Sequence, residues 1–82
     1  MYFVYAIYNK LVNKIYIGQT RDIGERLKMH NQKLIPGYTS RFSGTWVIIY
    51  SESVQNRNEA LKREKQLKSY RGRQFIKTFI PR

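Results

Sequence analysis

The sequence predicts an α+β fold, a three-stranded, largely antiparallel sheet flanked by helices in the order β-β-α-β-α-α. Three observations carry this expectation. Two short runs rich in aromatic and β-branched residues, Tyr2 to Tyr8 and Ile15 to Thr20, are separated by a brief polar connection. A third apolar run, Thr45 to Glu52, follows much later in the chain. On either side of that run stands a stretch with the spacing of a capping box.

Taken in order, Tyr2 to Tyr8 reads as the first strand, and Asn9 to Asn13 as a turn favoured by asparagine at both ends. Ile15 to Thr20 is then the second strand, and the two pair as an antiparallel hairpin. Val4, Ile15 and Ile17 supply its apolar faces, while Tyr5 and Tyr16 present hydroxyls at a cleft. Asp22 is the expected N-cap of a helix from about Ile23 to Asn31, with Glu25 reaching back to it. Gln32 to Gly44, holding Pro36, Gly37 and Gly44 among polar residues, reads as a loop or a short broken helix. Thr45 to Glu52 is the third strand and the most hydrophobic segment of the chain. Asn56 and Glu59 form the second capping pair. The helix they open is expected to run through Ala60, Leu61 and Leu67 toward Tyr70, with Gly72 as its stop. Gln74 to Ile80 is a short final helix before Pro81. With no repeat, linker or low-complexity stretch, residues 1–82 are expected to form one domain.

Composition narrows the function. A chain of 82 residues buries only about 60–65% of its unfolded surface, so any polar residue directed inward is informative. There is no cysteine, which excludes disulfides, zinc-thiolate sites and thiol chemistry, and a single histidine cannot build a multi-histidine metal site. A metal here must use oxygen ligands, which points to magnesium or manganese. Sixteen Lys and Arg against five Asp and Glu leave a formal charge of +11, which calls for a polyanionic partner. Nucleic acid is the usual one; a ribosome-associated or merely basic protein is the plainer alternative. The apolar run Tyr2 to Ile7 is too short for a signal-peptide core or a membrane span. The expected location is therefore cytoplasmic, on the nucleoid if the source is bacterial, with no membrane partner.

Three residues stand where ordinary packing would not put them. With about 100° per helical residue, Glu64 falls near 40° from Ala60, in the middle of a stripe shared with Leu61 and Leu67. A carboxylate there needs a cation, a metal or a proton, and an internal salt bridge to Arg26 or Lys68 would serve as well. Arg26 and His30 lie one helical turn apart, on one face beside Ile23 and Leu27. At the rim of a core they would line a cleft; as ordinary residues they are a snorkelling arginine and a packed histidine.

These oddities fall in register with a known pattern. Phe3-Val4-Tyr5, then ten intervening residues, then Tyr16-Ile17-Gly18, resembles the signature of the GIY-YIG nuclease superfamily. The run from Glu59 to Lys68 is similar to the small stand-alone bacterial members, the YhbQ-like type, and the resemblance covers nearly the whole chain. Phe3 stands where the superfamily's first glycine would be. Downstream of the glutamate, where the superfamily tends to carry an asparagine, the final segment offers Gln74 and Thr78 and leaves that role unassigned.

The resemblance implies a DNA endonuclease with Tyr5, Tyr16, Arg26, His30 and Glu64 as its catalytic set. Glu64 would hold one divalent cation, Mg2+ or Mn2+, Arg26 would grip phosphate oxygens, and Tyr16 would activate water. A phenol used as a base needs a proton relay, which His30 or Tyr5 could supply. Gly18 would let the backbone approach the cleft. Lys14, Arg21, Lys33, Arg41, Lys62, Lys68, Arg71 and Arg73 would track phosphates without reading bases, so sequence specificity should be poor unless a protein partner supplies it. A monomer is expected. Two rivals use the same fold and charge: a non-catalytic nucleic-acid-binding module, and a subunit that delivers the domain to a larger complex. Glu64 favours the enzyme, because a carboxylate beside phosphates is repulsive without a metal.

Overall fold

The aromatic and β-branched run at the N-terminus forms strand β1 (Tyr2–Asn9), paired antiparallel with β2 (Lys14–Thr20). The computed structural model describes residues 1–81. Asn13 closes the hairpin in the left-handed region (φ 53°), and its side-chain oxygen accepts a 2.8 Å hydrogen bond from the Tyr8 hydroxyl. Asparagine tolerates that backbone region better than most residues, which suits it to the turn. On its other edge β1 pairs antiparallel with β3 (Trp46–Val54), giving the sheet order β2-β1-β3. The helices are α1 (Ile23–Asn31), α2 (Arg57–Lys68) and α3 (Tyr70–Lys77). A single 3-10 turn, Thr39–Arg41, interrupts the connection from α1 to β3. The fold is the expected α+β arrangement with the element order β-β-α-β-α-α.

Alternation along β1 divides its side chains between two cores. Val4 and Ala6 pack with Ile17, Ala60, Leu67 and Ile76 on the face covered by α2 and α3. Tyr5 and Ile7 pack with Trp46, Tyr16, Leu27 and Phe42 on the face covered by α1 and the long connection. Successive residues of a strand point to opposite faces, so neighbours in sequence serve different cores. The apolar β3 segment, expected to be the most hydrophobic, is an edge strand with Val47 and Ile48 exposed. Position in the sheet rather than hydropathy decides burial, and the middle place goes to β1.

Both helix starts follow the capping logic. Asp22 accepts from the Glu25 amide at 3.0 Å, and Asn56 from the Glu59 amide at 2.9 Å. The Asp22 amide donates to Thr20 Oγ1 at 3.2 Å, so Thr20, not Glu25, is the acceptor for that amide. The C-terminal boundary differs more. Helix α2 ends at Lys68, not near Gly72, because Ser69 is extended (φ −68°, ψ 168°) and caps both helices. Its hydroxyl donates to the Gln66 carbonyl at 2.6 Å and accepts from the Gly72 amide at 3.1 Å. Gly72 is therefore buried inside α3, and the last helix begins four residues earlier than Gln74.

Candidate active site

The site grows from one strand-pair position. Tyr5 faces Gly18 across the β1–β2 ladder, on the α1 side of the sheet. A Cβ on Gly18 would lie 2.8 Å from the Tyr5 hydroxyl and 3.0 Å from Tyr16 Cε2. The glycine thus clears the space that the Tyr5 phenol occupies. It is buried, so its part in the site is to seat that phenol.

Beyond Gly18 the Tyr5 hydroxyl meets His30 Nε2 at 2.8 Å. The other ring nitrogen, Nδ1, lies 2.8 Å from Thr39 Oγ1. Whichever nitrogen carries the proton, one donates and the other accepts, and both hydroxyls can reverse their roles. His30 is 1% exposed, packed inside the molecule as the plainer of the two sequence readings had it, rather than at the rim. Its neighbour Asn31 holds the helix end in place: Oδ1 accepts from the Trp46 amide at 2.7 Å and Nδ2 donates to the Trp46 carbonyl at 3.0 Å. Tyr16, half-buried, completes the cluster with its ring 5.0 Å from that of His30 and 6.3 Å from that of Tyr5.

Electrostatics give these groups distinct states. Burial, then the Arg26 charge, lower the His30 pKa to about 4, so the imidazole is neutral at pH 7. Burial also pushes the Tyr5 phenol far above the ordinary tyrosine range. Tyr16 and Glu64 push it the same way, and the Arg26 charge opposes them. Arg26 and Glu64, from helices on opposite faces of the sheet, therefore both act on the Tyr5 hydroxyl. Tyr5, Tyr16 and His30 form one contact cluster, and Arg26 and Glu64 lie near enough for their charges to reach the Tyr5 phenol.

Glu64 departs from its expected surroundings. Ala60 and Leu67 are buried, but Leu61 is 45% exposed, so the apolar stripe of α2 is narrower than the pattern implied. Glu64 lies at its edge with its side chain 20% exposed, and Oε2 accepts a 2.7 Å hydrogen bond from Lys68 Nζ. The salt bridge left open at the sequence level is present, with Lys68 rather than Arg26. The carboxylate already holds one cation, an ammonium. Among the described residues no cluster of three or more His, Cys, Asp or Glu could cage a metal. A single carboxylate still fits magnesium-type binding, in which waters and substrate phosphates supply most ligands.

The remaining predicted contacts are spread over the surface. Lys14, Arg21, Arg41, Lys62, Lys68, Arg71 and Arg73 are exposed. Arg21 lies over the Tyr2 ring at 5.3 Å and lines a cavity of about 360 Å³ with Arg26 and Arg57. Lys33 is exposed but donates to the Phe42 carbonyl at 2.6 Å, tying the long connection together. Sequence reasoning missed Thr39 and Asn31, which hold His30 and its helix end, Arg57 in the cavity beside Arg26, and Tyr38, whose ring lies near that of Tyr16. Thr39 and Tyr38 lie in a segment without periodicity. The one signal there was the aromatic pair Tyr38 and Phe42 in an otherwise polar stretch, and their rings do meet, edge to face at 5.1 Å.

Comparison with known proteins gives a consistent picture. The family of the GIY-YIG catalytic domain matches residues 1–77. UPF0213 proteins from two strains of Staphylococcus epidermidis are each 32% identical over 63 residues, covering 77% of this chain and 76% of the relative. No solved structure matches the chain. Among the described residues no helix is long and apolar enough to cross a membrane.

Proposed function

The chain belongs to the GIY-YIG catalytic domain family, a nuclease superfamily, and from that premise we propose that it is a divalent-metal-dependent endonuclease. In this proposal it hydrolyses DNA phosphodiester bonds with little intrinsic sequence specificity, in repair or processing of structured DNA. The observation that carries it is the buried, neutral His30 held between the Tyr5 and Thr39 hydroxyls, with Tyr16 beside it and Arg26 and Glu64 acting on the same phenol. A neutral imidazole linked to two hydroxyls is suited to relay a proton; a core histidine could be satisfied without an arginine and a glutamate acting on the phenol it holds.

Tyr16 activates the attacking water in this scheme: as it takes the water's proton, its own hydroxyl proton passes to the hydrogen-bonded Tyr5–His30 relay and on to solvent. Arg26 places planar donors against non-bridging phosphate oxygens. Glu64 would hold one Mg2+ or Mn2+, which when bound polarises the phosphoryl oxygen and neutralises developing charge. Lys68 engages one carboxylate oxygen, Oε2, and the other remains for the ion.

That same ion pair favours a second proposal, a non-catalytic nucleic-acid-binding module. With Glu64 neutralised by its own lysine, the site would not repel phosphates even without metal. Glu64→Gln separates the two. The enzyme proposal expects loss of nicking on a panel of labelled structured DNAs and weaker manganese binding by calorimetric titration. Thermal stability should hardly move, because a partly exposed i,i+4 pair contributes only about 0.3–0.5 kcal/mol. Unchanged manganese affinity, with no cutting by the wild-type protein under any divalent ion, would leave the binding module standing.

A further inference from the structure

Tyr38 sits where two cavities meet. One, of about 270 Å³, is lined by Tyr16, Tyr38, Lys68 and Arg73 over the flank of β2. The other, of about 420 Å³, continues past Tyr38 to Lys14, Arg73 and Lys77. The Tyr38 ring lies nearly parallel to that of Tyr16, at 23° and 6.2 Å between centroids, and is braced edge-on by Phe42. It remains 40% exposed. Its backbone opens the turn whose next residue, Thr39, holds His30. A half-open aromatic ring, braced by two others, therefore stands beside the proposed catalytic tyrosine.

The charge of this cleft is one-sided. Lys14, Arg73 and Lys77 line the two cavities, together with Lys68, whose ammonium is paired with Glu64, and no carboxylate lines either. The cavity on the Arg26 side differs, because Asp22 and Glu25 line it together with its arginines. Cations that follow a phosphate backbone, with an aromatic face between them, make the pattern that binds single-stranded nucleic acid. Within a duplex both faces of a base are covered by its neighbours, so such a ring gains nothing until a base is free.

We propose that this cleft takes an unpaired base of a DNA strand, stacked on Tyr38, with Lys14, Arg73 and Lys77 on the adjoining phosphates. The proposal rests on the endonuclease assignment above, and it narrows the substrate to DNA with an unpaired nucleotide next to the cut, such as a flap, gap or bulge. Tyr38 is then a specificity-determining residue, because it selects the place where Tyr16 acts.

The test is binding without divalent metal, so that nothing is cut. A flap substrate carrying 2-aminopurine at its first unpaired position is compared with a fully matched duplex of equal length. The wild-type protein should prefer the flap by about tenfold and quench the 2-aminopurine, as expected for one stacked base. Tyr38→Phe keeps the ring and should keep both effects. Tyr38→Ser should lose both, with the flap affinity falling to that of the duplex. Preference and quenching that survive in Tyr38→Ser would overturn the proposal. An absence of quenching with the wild-type protein would overturn it by itself, whatever the stability of the variant. Adding manganese to the same wild-type complex keeps the two assignments apart: quenching without cleavage refutes the nuclease alone, and cleavage without flap preference refutes the stacking cleft alone.

Discussion

At the scale of single residues, Gly18 and His30 carry the sharpest expectations. Gly18→Ala places a methyl against the Tyr5 phenol, which is buried and tied to His30. The backbone there is ordinary strand, where exchanging glycine for alanine stiffens the unfolded chain and offsets part of the strain. Stability should change by no more than about 1 kcal/mol, while nicking activity falls by about tenfold or more as the hydroxyl is displaced. A kinetic assay beside a thermal melt checks the contrast, and parallel loss of both would point to simple misfolding. His30 makes a pH prediction. Its folded pKa of about 4 lies below the ordinary 6.5, so the unfolded chain binds the proton more readily. That contribution to stability is complete above pH 6.5 and is lost as the pH falls toward 4, on the order of 3 kcal/mol in all. As the chain has one histidine, His30→Gln should flatten the melting temperature across this window. At this scale the site was legible because tyrosines, arginine, histidine and glutamate keep their spacing in the sequence. Thr39 was not legible, since a hydroxyl in an aperiodic loop carries no sign of the ring nitrogen it meets.

Among the elements, the junction of α2 and α3 is the least forgiving. Sequence patterning placed one long helix stop at Gly72, because glycine commonly ends helices. The chain turns at Ser69 instead, and Gly72 is needed because the two helices approach closely. A Cβ on Gly72 would fall against the Gln66 carbonyl and within 2.5 Å of Leu67 Cα, backbone atoms that cannot swing aside. Gly72→Ala should therefore cost about 1–3 kcal/mol, measured by urea unfolding, even though alanine is the better helix former. A neutral or stabilising result would mean that the helices can slide apart freely. Strand and helix existence was readable from periodicity. The Ser69 break was not, because serine in a run of helix formers is compatible with either continuation or a cap.

For the whole molecule, charge and size set the expectations. With a net +11 and a longest dimension of 32 Å, the protein can cover about one turn of duplex DNA. If about four phosphates are neutralised, affinity should fall about a hundredfold between roughly 50 and 200 mM salt. Fluorescence anisotropy across that range checks this, and a flat response would count against phosphate-dominated binding. The global order of strands was legible only in part: the hairpin followed from proximity, whereas the central place of β1 depended on where β3 docked. That topology also sets two clocks within the site. Tyr5 rides on a strand paired along both edges, whose amides should exchange with solvent only when the sheet itself comes apart. Thr39 and Tyr38 hang from one 3-10 turn in a largely exposed connection, the kind of segment that opens locally and far more often. Each such opening would free one nitrogen of His30 while Tyr5 still grips the other. Losing the stacking face and loosening the imidazole would then be a single event.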